Sequence, residues 1–295
     1  MKIYITGYSS AQHNKGKNRK NIIMFCEVLR RILLDNGHQL VDELDDADKC
    51  IVFLNPLNSL NTTYAMKSLD VLKNYDSIIA FDDWNIKCVY SNIKALLSGQ
   101  TTFKSHPHYK QSDVEQRFDV LKKINDGDFK VLFGAYKAGN HDLLNIIGDK
   151  VNIDYSAYIE RTYVQPEVFN YKPIYAGLAK KDNFIAKLDY DCELIEKQTE
   201  DYVFQKYCSN RLVVNPPHYH DGSGWIRMRY TLAYWAKALI LEDMNCVFGE
   251  AYRINYDDEI VNDIDEIYEI QKSVYEKSIM TKEEISKQLN NLLNG

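Results

Sequence analysis

Two arginines set two residues apart, Arg227 and Arg229, stand near the start of a helical pattern in Gly224–Asp243, GWIRMRYTLAYWAKALILED. That helix runs into a short apolar strand, Ala238–Leu241, which closes on Glu242 and Asp243. A helix feeding a buried parallel strand is half of a Rossmann-type unit, and such sheets bind ligands beyond the carboxyl ends of their strands. Guanidinium forks beside the free N–H groups of a helix start favour an anion, phosphate above all. The plain alternative is a solvated arginine pair on an ordinary helix. A second candidate is Asp82 and Asp83, which end the apolar run SIIAF; a carboxylate there either caps a turn or takes a proton. The loop His218–Trp225, HYHDGSGW, precedes the arginine helix and is rich in hydrogen-bond donors and acceptors, Tyr219 among them. Its His218-x-His220 pair lacks further spaced ligands, so no metal is predicted. Asp189-Tyr-Asp191 has the form of a metal-binding DxD, but among doubly wound elements it reads as a pair of solvated strand-edge acids.

The elements that would position these residues alternate from the first residue onward, and that alternation predicts parallel sheets. Strands are expected at Lys2–Thr6, Cys50–Leu54, Ser77–Phe81 and Lys130–Gly134. Helices are expected at Asn21–Asp35, with Ile22, Phe25, Leu29 and Ile32 on one face, at Thr62–Asn74 and at Lys87–Leu97. Gly7, Gly37 and Pro56 sit where such elements should stop. The pattern restarts with strands at Pro173–Gly177, Cys192–Glu196, Leu212–Asn215 and Ala238–Leu241, so a second α/β domain is expected, joined in Tyr158–Lys172. From Asp263 to Asn294 the pattern is helical, broken near Met280. Thr281 with Glu284 forms a capping box for the last helix.

A chain of 295 residues has room for two such cores. Its six cysteines are scattered without a CxxC pair, which suits buried thiols better than zinc or disulfides. Met1–Ser10 has neither the basic start nor the apolar stretch of a signal peptide, and no apolar run approaches the roughly 20 residues of a membrane helix. A cytoplasmic protein with no membrane partner is therefore expected. The net charge of -6 is unevenly spread: residues 1–150 carry +2 and the remainder -8, with seven acids and no cation in Asp257–Glu269. A polyanion is thus not excluded as a partner of the first half, where Lys15, Lys17, Arg19 and Lys20 cluster in HNKGKNRK.

Three segments together resemble the GT-B glycosyltransferases, and among them the DNA β-glucosyltransferases of T-even phages. MRYTLAYWAKALILED is similar to that family's nucleotide-binding helix and following strand. SIIAFDDW, Ser77–Trp84, is similar to the strand that delivers its catalytic base. FKVLFGAYKAGNHDLLNIIGDKVNIDYSAYIERTY, Phe129–Tyr163, looks like its last βα unit and interdomain crossing. The resemblance implies an α/β fold of two Rossmann-type domains facing a central cleft, with C-terminal helices. An acceptor-side domain would span 1–165, a nucleotide-sugar domain 166–262 and the helices 263–295. The implied reaction moves a sugar, glucose first among candidates, from a UDP-sugar to a hydroxymethylated pyrimidine in phage DNA. The alternatives are a glycan or small-molecule acceptor, or a nucleotide-sugar-binding protein without catalysis.

In that frame Asp83 is the general base, taking the proton of the acceptor hydroxyl. Arg229, Arg227, Lys180, Lys181, Gly177 and Tyr219 fall on the donor side, where positive charge and a helix N-terminus would hold a departing diphosphate without an obligatory metal. Gly7, Tyr8 and Ser9 form the turn that a sugar or acceptor approaches, and Trp84 offers a flat partner for an unstacked base. Lys15, Lys17, Arg19 and Lys20 would touch DNA phosphates. The expected partners are a nucleotide sugar and double-stranded DNA, met by a monomer in the cytoplasm, the host's if the chain is phage-encoded. One position departs from the family pattern: where a ribose-binding glutamate follows the helix arginine, this chain has Leu232, so the ribose must be held otherwise.

Overall fold

The computed structural model describes residues 1–7, 20–53, 76–82, 119, 122–134, 150–177, 188–196, 198–215, 227–242, 248, 252–257 and 259–295. They form two compact units, Met1–Tyr158 with Met280–Gly295, and Ile159–Ile279.

In the first unit the strands are β1 (Lys2–Gly7), β2 (Gln39–Val41), β3 (Lys49–Phe53), β4 (Ser77–Asp82), β5 (Lys130–Gly134) and β6 (Lys150–Ile153). They pair in parallel in the order β2-β1-β3-β4-β5-β6. A sheet covered on both faces needs continuous apolar strands rather than alternating ones, and Ile3, Ile51, Ile78, Ile79, Val131 and Leu132 are accordingly fully buried. Helix α1 (Lys20–Asp35) lays Phe25, Leu29 and Ile32 into this core; each such side chain contributes about 1.5–3 kcal/mol on leaving water. The ring of Phe25 stacks on Tyr155 at 4.9 Å between centroids. The helix stops at Gly37, whose φ of 75° opens the turn; there Gly37 N–H bonds Leu34 O at 2.9 Å and His38 N–H bonds Leu33 O at 3.0 Å. Strands β2 and β6 are additions to the expected set. The helices expected at Thr62–Asn74 and Lys87–Leu97 lie outside the described residues.

The second unit carries β7 (Ile174–Ala176), β8 (Glu193–Ile195), α2 (Glu200–Asn210), β9 (Leu212–Asn215), α3 (Arg227–Trp235), β10 (Leu239–Glu242) and α4 (Ile264–Ser278). Its sheet is again parallel, in the order β10-β9-β7-β8. Leu212, Val214, Leu239 and Leu241 pack with Ile264 and Tyr268 of α4. The buried Gln271 of α4 ties helix to sheet: its Oε1 accepts from Ile240 N–H at 2.9 Å, while Nε2 donates to Ile240 O at 2.8 Å and Tyr252 O at 2.7 Å.

Helix α4 belongs to the second unit, whereas α5 (Lys282–Asn294) belongs to the first, since Ile285, Leu289 and Leu293 bury their stripe there. The capping box of Thr281 and Glu284 is present. Asn290 of α5 bonds His38 at 3.1 Å and Asn36 at 3.3 Å, tying the helix to the turn after α1.

Candidate functional site

The chain leaves β7 for β8 on one side and returns to lay β9 on the other, so the second sheet reverses its winding between β7 and β9. Parallel sheets open a crevice at such a point, outside the carboxyl ends of the two strands. Those ends are Ala176 and Asn215. Both are bonded to one side chain. Arg229, in the first turn of α3, donates from Nη1 to Asn215 Oδ1 and from Nη2 to Ala176 O at 3.1 Å. Its guanidinium carbon lies 5.3 Å from the centroid of the Tyr175 ring, a cation–π contact. Tyr207 of α2 lies close enough for the Arg229 charge to act on its phenol.

Every one of these partners is neutral. Burial pushes the Tyr207 phenol above its ordinary value, with the Arg229 charge acting in the opposite sense, so it remains a neutral hydroxyl near pH 7. Asn215, 4 % exposed, has its amide oriented by a second contact, Nδ2 to Tyr230 Oη at 3.4 Å. Tyr230 is fully buried and meets Phe248 edge-on at 4.7 Å. Arginine has five N–H donors and no acceptor; Asn215 and Ala176 take two, and the buried Nε has no partner among the described residues. The arrangement holds a full positive charge, with donors to spare, at the place where an anion binds in this kind of sheet.

Gly177 follows β7, but its N–H is committed to Ile195 O at 3.0 Å. Its contribution is the missing side chain: a Cβ would stand 2.5 Å from the Tyr175 hydroxyl. Leu232 is buried at 4 % exposure, so the position where the family's ribose carboxylate is expected belongs here to the core. Of Arg227 the backbone alone is described; it opens α3. Lys180, Lys181 and Tyr219 lie outside the described residues.

In the first sheet the winding reverses between β1 and β3, and Gly7 ends β1 opposite Phe53 of β3. The turn that begins at Gly7 thus leaves the sheet at its own switch point. Strand β4 ends at Asp82, paired with Gly134 of β5, one residue before Asp83. Tyr8, Ser9, Asp83, Trp84, Lys15, Lys17 and Arg19 lie outside the described residues, and Lys20 is described only as the first residue of α1.

Asp191 of the DxD-like pair is bound to Lys172 at 2.6 Å, which holds its carboxyl below the usual range. No group of three or more His, Cys, Asp or Glu suited to a metal occurs among the described residues. No helix among them is long and apolar enough to cross a membrane. A surface hollow lined by Phe169, Tyr171, Lys172, Tyr190 and Tyr256 opens beside Pro173 and Asp191, at the amino ends of β7 and β8, the opposite end of the sheet from Arg229. Cys50 and Cys208 are buried free thiols, and Cys26 and Cys192 are half-buried ones. Burial raises all four, Cys192 to about 11.

Among the described residues one six-stranded and one four-stranded parallel sheet follow each other along the chain, the second with an arginine across its switch point, and this is a fold of the GT-B class. The solved structures bear this out over the whole chain. One similar structure is a DNA-modifying enzyme, β-glucosyltransferase, studied with and without its substrate uridine diphosphoglucose; it matches over 100 % of both chains at a TM-score of 0.55 and 12 % identity. A second is the T4 phage β-glucosyltransferase, again over 100 % of both chains, at a TM-score of 0.53 and 12 % identity. At that identity the likeness is one of fold. No family model matches the chain, and no curated protein does.

The sequence singles out Arg229 but not the residues that meet it, Asn215 and Tyr175. A signal existed for the first: Asn215 is a polar residue closing the apolar strand LVVN, a position that faces the crevice in this kind of sheet.

Proposed function

We propose that the chain is a GT-B glycosyltransferase that moves glucose from UDP-glucose to the hydroxyl of a hydroxymethylated pyrimidine in DNA. The observation that carries the donor half is Arg229, charged and held by neutral partners at the switch point of the second sheet. The DNA half rests on the full-length likeness to a DNA-modifying β-glucosyltransferase and on the basic run at Lys15, Lys17, Arg19 and Lys20.

On this reading the second unit holds the nucleotide. Arg229, the α3 N-terminus with Arg227, and the lysines Lys180 and Lys181 stabilise the charge that grows on the diphosphate as it leaves. Gly177 and Tyr219 border that side. In the first unit Asp83 follows β4 and accepts the proton of the acceptor hydroxyl while that oxygen bonds to the anomeric carbon and the bond to the diphosphate breaks. Gly7, Tyr8, Ser9 and Trp84 flank the sugar and the base. The basic run meets DNA phosphates, which position the duplex without reading its sequence. Charge neutralisation by these cations supplies what a metal supplies in other transferases.

The test is release of UDP from UDP-glucose in the presence of hydroxymethylated DNA, of unmodified DNA, and of no acceptor. Release that requires the hydroxymethyl group supports the proposal. Release with glycans or small alcohols alone moves the acceptor to another class. Tight UDP binding without release under any condition describes a nucleotide-sugar-binding protein.

A further inference from the structure

Asn215 does more at this site than fill the end of a strand. Its Oδ1 accepts from Arg229 Nη1, and its Nδ2 reaches Tyr230 Oη at 3.4 Å. Arginine cannot accept a hydrogen bond, so the amide oxygen must face it. The buried aromatic cluster around Tyr230, with Phe248 at 4.7 Å and Tyr252 at 5.3 Å, gives the amide a fixed base. Elsewhere in the same unit carboxylates meet the arginines: Asp265 binds Arg211 at 2.7 Å, and Glu200 binds Arg161. At the switch point an amide stands instead.

We propose that Asn215 is a positioning residue that fixes the Arg229 guanidinium and, because it is neutral, leaves the charge of that guanidinium for a diphosphate. The inference rests on the donor reading above. A carboxylate at 215 would hold the same arginine as firmly, but would cancel its charge and repel the ligand at close range in a buried place. A tether of no charge is what separates holding an arginine from spending it.

Asn215→Asp is therefore the diagnostic change, read by calorimetric titration with UDP, pyrophosphate and uridine, beside a denaturant midpoint. UDP and pyrophosphate should bind at least about tenfold more weakly, since like charges are brought together. Uridine, which has no phosphate, should bind as it does to the wild type, and the midpoint should not fall. A merely structural role would weaken all three ligands together and lower the midpoint. If Asn215→Asp does not fold, Asn215→Ala decides: the charge is kept and the tether lost, so UDP should weaken several-fold with uridine unmoved. Wild-type-like UDP affinity in the variant that decides, with Arg229→Ala weakened, overturns the role of Asn215 alone. A wild type that binds neither UDP nor pyrophosphate removes the donor reading, and this inference with it.

Discussion

Strand β9 has an arginine at each end, and the two are treated in opposite ways. At the amino end Arg211, its side chain 6 % exposed, is bound to Asp265 at 2.7 Å, donates from Nε to Lys237 O at 3.0 Å, and lies 5.7 Å from the Phe169 ring. At the carboxyl end Arg229 reaches Asn215, Ala176 O and the face of Tyr175, with no carboxylate among these partners. Both are hydrogen-bonded, as guanidinium groups drawn even partly out of water must be. What differs is the charge of the partners. Arg211 is a neutralised joint that caps α2 in the left-handed region, φ 61°, and leads the chain into β9. Arg229 retains its charge at the end of the sheet where ligands bind. Partner charge, more than burial or bond count, separates the two, and on the proposed reading it separates a scaffold arginine from a binding one.

The largest expected effect comes from Asp83, which the proposed mechanism assigns to the acceptor rather than to the diphosphate, and it sets the scale for both arginines. Asp83→Asn should lower transfer by about 10²–10⁴-fold, the usual worth of a general base, while UDP affinity stays as in the wild type. Near-normal turnover in that variant would remove Asp83 from the chemistry and leave the comparison resting on binding alone.

Arg229→Ala comes next. Losing a charge-assisted bond to the diphosphate should weaken UDP by roughly 1–3 kcal/mol, read by isothermal titration. Arg211→Ala should do the reverse, lowering unfolding stability by about 1–3 kcal/mol through the lost pair with Asp265, the lost side-chain bond to Lys237 O and the lost ring contact, with UDP affinity unchanged. If instead both variants lose UDP affinity equally, the two ends of β9 do not differ in function.

How much of this was legible beforehand follows a physical line. Apolar strands declare themselves because a sheet covered on both faces admits little else, and KVLFG and LVVN were bounded correctly as Lys130–Gly134 and Leu212–Asn215. Strands β2 and β6 were not read. QLV is three residues long with an exposed first residue, and KVNI is mostly half-buried, so neither leaves the continuous apolar run that marks a central strand. Arg229 was legible as a cation near a helix start beside a strand end. Its company was not, because Asn215 is 14 residues away and Ala176 is 53, and pattern along a chain does not report which distant strands become neighbours. Arg211 and Arg229 are the same letter in the sequence; only the tertiary partners separate them.

The smallest effect is the sharpest probe of that separation. Asp265 is 87 % exposed although the arginine it meets is buried. Asp265→Asn removes the carboxylate charge and keeps an oxygen able to accept from Arg211, whose bond to Lys237 O and contact with Phe169 persist. A carboxylate so open to water gains little from its partner, so the loss in unfolding stability should be about 0.2–1 kcal/mol. That loss should shrink further at high salt, where such a pair is screened. UDP affinity should not change at either salt concentration. Denaturant unfolding followed by circular dichroism in low and high salt, beside one UDP titration in each, makes the measurement. A loss above about 3 kcal/mol would instead be the signature of breaking a buried pair. In that case the neutralising carboxylate, rather than the backbone bond and the ring, would be what makes Arg211 a joint, and the contrast with the neutral cage of Arg229 would be the stronger for it. A change in UDP affinity, by contrast, would mean that charge at the amino end of β9 is felt at the carboxyl end, and the two arginines would have to be treated as one coupled system.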